Sequence, residues 1–240
     1  MELNKFASVG FPTLNPTYLD VHGSVGMKKP EKVKELEEFG RVQLSKSFFM
    51  REFLYSEISQ IEGIPNIPDD PELAIEAGKN LCEKVLEPVQ DALGRISVRS
   101  AYRSCAINQR GNEKGYNCVS NEKNYAGHIW DKKNGEYIGA TACLIVTSFV
   151  PYYQKTGDWT ALAWWIHDHV KDYAHMTFFQ NYAAFNINWN NNPNNLKFID
   201  SYVENPHTGK KGYLTKKGMD NFEGLHEEHY KGFIQQLKVD

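Results

Sequence analysis

The chain has 240 residues, 41% of them hydrophobic and 24% charged, with a formal net charge of −3. That profile belongs to a globular chain long enough for one large core, and no basic run exceeds a Lys-Lys pair with one neighbour, which argues against general nucleic-acid binding. The opening stretch MELNKFASVGFPTLNP has no signal-peptide core, and no run of about 18 apolar residues offers a membrane span. The expected location is the cytoplasm where the chain is made, or a virion that carries it.

Residues 1–30 are rich in Pro and Gly and read as an extended arm. A helix is expected from Pro30, with Val33, Leu36 and Phe39 spaced three apart, followed by a short helical piece and a Pro-rich loop. The clearest helix starts at Asp70, an N-cap with Pro71 behind it. Leu73, Ala77, Leu81, Val85, Val89 and Leu93 then recur every fourth residue, Pro88 bends or shortens the last turn and Gly94 ends it. Ile96 and Val98 alternate as a strand, ATACLIVTSFV reads as a strand buried on both faces, and a helix runs from Asp158 with Leu162, Trp165, Ile166 and Val170 on one side. A third strand is AAFNINW, with His175 beginning the segment that leads into it. FIDSYVENPHTGKKGYLT reads as a β-hairpin and the C-terminus as a short helix. These elements predict a single α+β domain with an antiparallel central sheet flanked by helices. Its parts are an arm and helix over 1–44, a core over 45–200, and a hairpin and helix over 201–240.

Cys82, Cys105, Cys118 and Cys143 are too widely spaced for a zinc knuckle and are expected to be free thiols, with Cys105 and Cys118 the pair if any forms. HDH at 167–169 and HEEH at 226–229 read as solvated helix faces. The histidines of HEEH are one residue too close for the HExxH zincin pattern, and His167 and His169 point to different sides of a helix. The Asn-rich run at 188–195 reads as a loop.

One constellation carries more. VLEPV at 85–89 is followed by Ser100-Ala-Tyr-Arg-Ser104 at the end of a strand and then by Asn108. In this order the segments resemble the zinc D-alanyl-D-alanine carboxypeptidases and the hedgehog signalling domain, which share a fold. The resemblance spans residues 45–190. It implies a hedgehog/D-Ala-D-Ala-peptidase-like fold, a zinc ion, and peptidoglycan stem peptides as substrate. The family motif S-x-H-x-x-G-x-A-x-D places a first ligand at His128, with Ala126 in the serine position. Its acid falls at Cys143, 15 residues after His128 and eight more than the motif has. The last family histidine falls at Asn186. Asp131 and His175 are the residues that could rebuild the set, so the candidate metal ligands are His128, Asp131, Cys143 and His175. Arg103, Ser100, Tyr102, Asn108 and Asn186 are the candidate substrate-binding residues, with Arg103 gripping a terminal carboxylate.

Two functions are therefore open. One is a peptidoglycan-directed zinc carboxypeptidase, in which zinc lowers the pKa of a bound water; AAFNI offers no carboxylate for the general base that the family carries before its last histidine. The other is a non-catalytic wall-binding or structural descendant, such as a phage tail or baseplate component, whose partners would be other virion proteins. Neither expects nucleic acid or a membrane as partner.

Overall fold

The structure, a computed structural model, describes residues 26–238. Most of the expected N-terminal arm therefore lies outside the described residues. Helix α1 (Val33–Gly40) leads through a single 3₁₀ turn at Met50–Phe53 to α2 (Glu57–Glu62). Asp70 then caps α3 (Pro71–Leu81) by accepting from the amide of Leu73 at 3.0 Å.

The long apolar stripe does not stay one regular helix. Cys82–Leu86 form a π-turn before α4 (Glu87–Leu93), in which Pro88 is the second residue. Pro88 has no amide to donate, and the wider turn before it absorbs the clash its ring would make in a regular helix. Gly94 ends α4 at φ 83°, as its position predicts.

A six-stranded sheet runs β1-β2-β4-β3-β5-β6. Its strands are β1 (Ile96–Ser100), β2 (Gly139–Val146), β3 (His175–Phe178), β4 (Phe185–Asn190), β5 (Phe198–Ser201) and β6 (Gly212–Lys216). The expectation of an antiparallel sheet needs correction: β3 and β5 pair in parallel and the sheet is mixed. The expected hairpin is present as the antiparallel pair β5–β6. The tail of the second predicted strand, from Thr147, turns helical and enters α7 (Val150–Thr156).

Strand alternation separates the two sheet faces. Ala140, Ala142, Leu144, Phe185, Ile187, Met176, Phe178 and Ile199 are buried in the core that α3, the π-turn, α4 and α8 (Thr160–His169) complete. The opposite face is polar. One row across it reads Ser100, Cys143, Asn186, Thr177 and Asp200, and the next reads Thr141, Asn188, His175 and Phe198. Helix α5 (Cys105–Glu113), α6 (Asn121–Asn124) and the loop to Ile138 join β1 to β2. The last helix, α9 (Glu227–Leu237), packs on α8.

Candidate functional site

The end of β1 is re-aimed by a bulge. Val98 pairs with Leu144, yet Ser100 pairs with Cys143, so one residue is looped out at Arg99. Without the bulge Ser100 would face the apolar side; with it, Ser100 joins the polar row beside Cys143 and Asn186.

The segment after β1 is held by buried amides. Asn66 donates to the carbonyls of Leu54 (3.0 Å) and Tyr102 (2.8 Å), and its Oδ1 accepts from the amide of Ser104. Ser104 then caps α5 by accepting from Ile107 at 3.3 Å. The carboxylate of Glu87, in the VLEPV segment, takes the amide of Ser47 and the hydroxyls of Ser45 and Ser47. Its place in the fold is to hold the turn before the 3₁₀ segment.

A second amide chain sets the loop that carries His128. Asn108, fully buried on α5, accepts from Asn124 Nδ2 at 2.7 Å, and Asn124 Oδ1 accepts from the His128 amide at 3.0 Å. The His128 carbonyl accepts from the Arg103 amide at 2.8 Å, so the two segments are tied at the backbone. Trp130 is buried and donates to the Thr141 carbonyl at 3.1 Å, which roots the loop in the core. Ala126 sits at φ 54°, and its carbonyl accepts from Asn188 Nδ2 at 3.1 Å. A Cβ on Gly139 would lie 2.4 Å from that carbonyl, so the absence of a side chain there permits the close approach.

His128 is buried, and its Nδ1 donates to the Ala101 carbonyl at 2.6 Å. The proton is therefore on Nδ1 and the Nε2 lone pair is free, the tautomer that a bound metal or a donor would need. Burial, together with the nearby charges of Arg103 and His175, pushes its pKa down to about 3. His175 stacks on Phe198 at 5.1 Å, and burial pushes it down to about 4. The charge of Arg103 thus acts on the His128 imidazole, and the two segments meet at the backbone.

The other predicted residues divide. Asp131 Oδ2 accepts from the amides of Asp69 (2.7 Å) and Asp70 (3.5 Å), at the start of α3. Its Oδ1 is buried with no partner of bonding geometry, and burial pushes the carboxyl up. Tyr102 is buried, and burial first and the Asp131 charge second push its phenol well above the usual range. Cys143 is held as a thiol: burial raises it against the opposing pull of Arg99 and Arg103. All four cysteines are free. Asn108 is part of the amide chain that positions His128, not of a pocket wall. At the far end of the polar row, Asp200 Oδ1 is buried without a partner, and burial pushes that carboxyl up.

A zinc ion does not fit this face. Among the described residues, the group of metal-ligating side chains whose donor atoms come within 4.8 Å of one another is a different one, so His128, Asp131, Cys143 and His175 do not converge. Asp131 Oδ2 is taken by the amides of Asp69 and Asp70, and the amide of Asn186 is a poor replacement for imidazole on zinc.

What the strand end does form is a pocket of about 340 Å³, lined by Ser100, Tyr102 and Arg103 together with Tyr55, Ser56, Glu57, Ile58, Ile61 and Tyr116. Tyr55, Ile61 and Tyr116 stand out as exposed large side chains at its rim. Arg103 donates to the sulfur of Cys118 at 3.3 Å and makes no ion pair among the described residues, with the Glu57 carboxylate in the lining of the same pocket. The hydrogen bond from its backbone amide to the His128 carbonyl ties the pocket's edge to the loop before β2, and the carboxylate of Glu57 lines the pocket beside the tyrosines and isoleucines.

The converging metal-ligating group is His167, Asp168 and His226, whose donor atoms are close enough to hold a metal ion. Sequence reasoning missed it. HDH and HEEH read as two solvated faces, but the Asp168 side chain is fully buried and joins them. The one available signal was Asp168 following a run of buried apolar residues in α8. No protein-family model, curated protein or solved structure matches the chain. No helix among the described residues is long and apolar enough to cross a membrane.

Proposed function

We propose that this chain is a D-Ala-D-Ala-carboxypeptidase-like module that binds the C-terminal end of peptidoglycan stem peptides, and that it does so without metal-dependent hydrolysis. The observation that carries the reading is Arg103: a guanidinium that makes no ion pair among the described residues, in a pocket it shares with three tyrosines, two isoleucines, two serines and the carboxylate of Glu57. A peptide ending in two small residues has this chemistry, a carboxylate for the guanidinium and methyl groups for Tyr55, Ile58 and Tyr116. The volume lies in the range of small-ligand sites.

The kinship itself draws support from register. The resemblance aligns Cys143 and Asn186 with two family ligands, and these residues are directly paired across β2 and β4. Residues that bind one ion in a relative should be neighbours in this way. Their replacement by a thiol and an amide, and the absence of an acidic residue beside Asn186, support a binding role over catalysis.

The test is calorimetric titration with N-acyl-D-Ala-D-Ala and with the same peptide carrying a C-terminal amide. The reading expects saturable binding of the acid, little or none of the amide, and loss of binding in Arg103→Ala. Cleavage of the acid with release of D-Ala, followed by mass spectrometry and abolished by a chelator, would instead establish the catalytic alternative.

A further inference from the structure

We propose that His167, Asp168 and His226 form a binding site for a divalent transition-metal ion that fastens the C-terminal helix to α8. Two of the residues are adjacent on α8 and the third comes 58 positions after Asp168, and one donor atom of each lies within 4.8 Å of the others. Two imidazoles and one carboxylate suit zinc-type ions rather than calcium or magnesium, which take all-oxygen shells. The ring centres of His167 and His226 are 5.4 Å apart, with planes at 62°. Two imidazoles on one tetrahedral ion, with metal–nitrogen bonds of about 2.0 Å, have ring centres roughly 5 Å apart.

The surrounding hydrogen bonds define which nitrogen faces the ion. His167 Nε2 donates to the Phe222 carbonyl at 2.7 Å and His226 Nε2 donates to the Asn221 carbonyl at 3.0 Å. Carbonyls accept only, so both rings carry a proton on Nε2, and the Nδ1 of each is left as the candidate donor to a metal. His167 Nδ1 meets the Tyr173 hydroxyl, which can donate to it. His226 Nδ1 instead lies 2.7 Å from Asp168 Oδ1. At that distance the contact is a hydrogen bond completed by a proton on His226 Nδ1, and an ion held by both atoms would take that proton's place.

The shell outside these three is already built. Asp168 Oδ2 accepts from the His226 amide (2.7 Å) and the Tyr230 hydroxyl (3.1 Å), and Trp164 stacks on His226 at 4.0 Å. His226 stands at the N-cap of α9, so an ion held here fastens that helix. When the ion binds, the proton on His226 Nδ1 leaves to water.

The experiment is titration of the full, metal-free chain with zinc chloride by calorimetry, and with cobalt(II) followed by its visible absorption. The expected result is one equivalent of either ion, with a tetrahedral cobalt spectrum. His167→Gln and Asp168→Asn should each weaken binding by at least roughly tenfold, whereas His128→Ala leaves it intact. His167→Gln keeps a donor for the Phe222 carbonyl and serves if the Asp168 variant fails to fold. No saturable uptake by the wild-type chain would assign the position to a proton alone and overturn the proposal. Unchanged binding in His167→Gln, or loss confined to His128→Ala, would overturn it as well. The titration uses no peptide, so its outcome is separate from that of the peptide-binding reading.

Discussion

The amide of Arg103 donates to the carbonyl of His128 at 2.8 Å, joining the end of β1 to the loop before β2. This backbone bond is independent of both side chains, so it persists when either is replaced. The guanidinium of Arg103 is therefore separable from the scaffold. Arg103→Ala is expected to abolish binding of a peptide carboxylate while moving the urea midpoint little. Arg103→Lys should restore only part of the affinity, because an ammonium cannot make the two parallel bonds of a guanidinium. Calorimetry and urea unfolding on the same samples check both statements.

Asn108 acts at a distance from the pocket. Its amide group donates to the Val119 carbonyl and Asn121 Oδ1 and accepts from Asn124, which in turn holds the His128 amide. Asn108→Ala strands these buried groups, and the expected loss of stability is about 2–3 kcal/mol. Urea unfolding at neutral pH measures it; a change within about 0.5 kcal/mol would show that the amide chain does not hold the loop.

Gly139 tests the approach of that loop to the sheet. A methyl group there would meet the Ala126 carbonyl at 2.4 Å and the Trp189 carbonyl at 2.8 Å, both backbone atoms. Gly139→Ala should cost about 2–3 kcal/mol. It should also weaken peptide binding, because the strain falls on the segment tied to Arg103. The expected signature is amide shift changes at residues 126–128 and 103 in NMR spectra.

Acid should destabilise the fold through two histidines. His128 and His175 titrate near 3 and near 4 when folded, below the ordinary value of 6.5. Between pH 4 and 6.5 the unfolded chain binds protons at these positions that the folded chain refuses. The stability they contribute is thus complete above pH 6.5 and is lost as the pH falls through the folded values. Each contributes a slope of up to about 1.4 kcal/mol per pH unit. Urea unfolding from pH 7 to pH 4.5 should show a steeper loss in the wild type than in His128→Gln or His175→Gln.

Much of the fold was legible because apolar spacing and caps agree: Asp70, Pro71 and Gly94 mark the ends of the α3–α4 segment, β2 follows its continuous apolar run, and β4 and the β5–β6 pair follow their alternation or turn residues. Helix α5 was hidden because CAINQRGNE has almost no apolar face; only the Ser104 cap announces it. β3 is four residues long, and its parallel pairing with β5 is a tertiary choice that no local pattern encodes. At the site, what the structure shows of His128 and Arg103 is that their segments meet at the backbone. The turning of Asp131 towards α3 was not legible, since it depends on the amides of Asp69 and Asp70, some sixty residues earlier. The joining of Asp168 to His226 escaped for the same reason.

A crystal structure of the chain with N-acyl-D-Ala-D-Ala is the most direct measurement. The account predicts the terminal carboxylate on the guanidinium of Arg103, at roughly 2.8 Å, with the alanine methyl groups against Tyr55 and Ile58. A peptide seated elsewhere on the molecule, with Arg103 still bound only to the Cys118 sulfur, would contradict it.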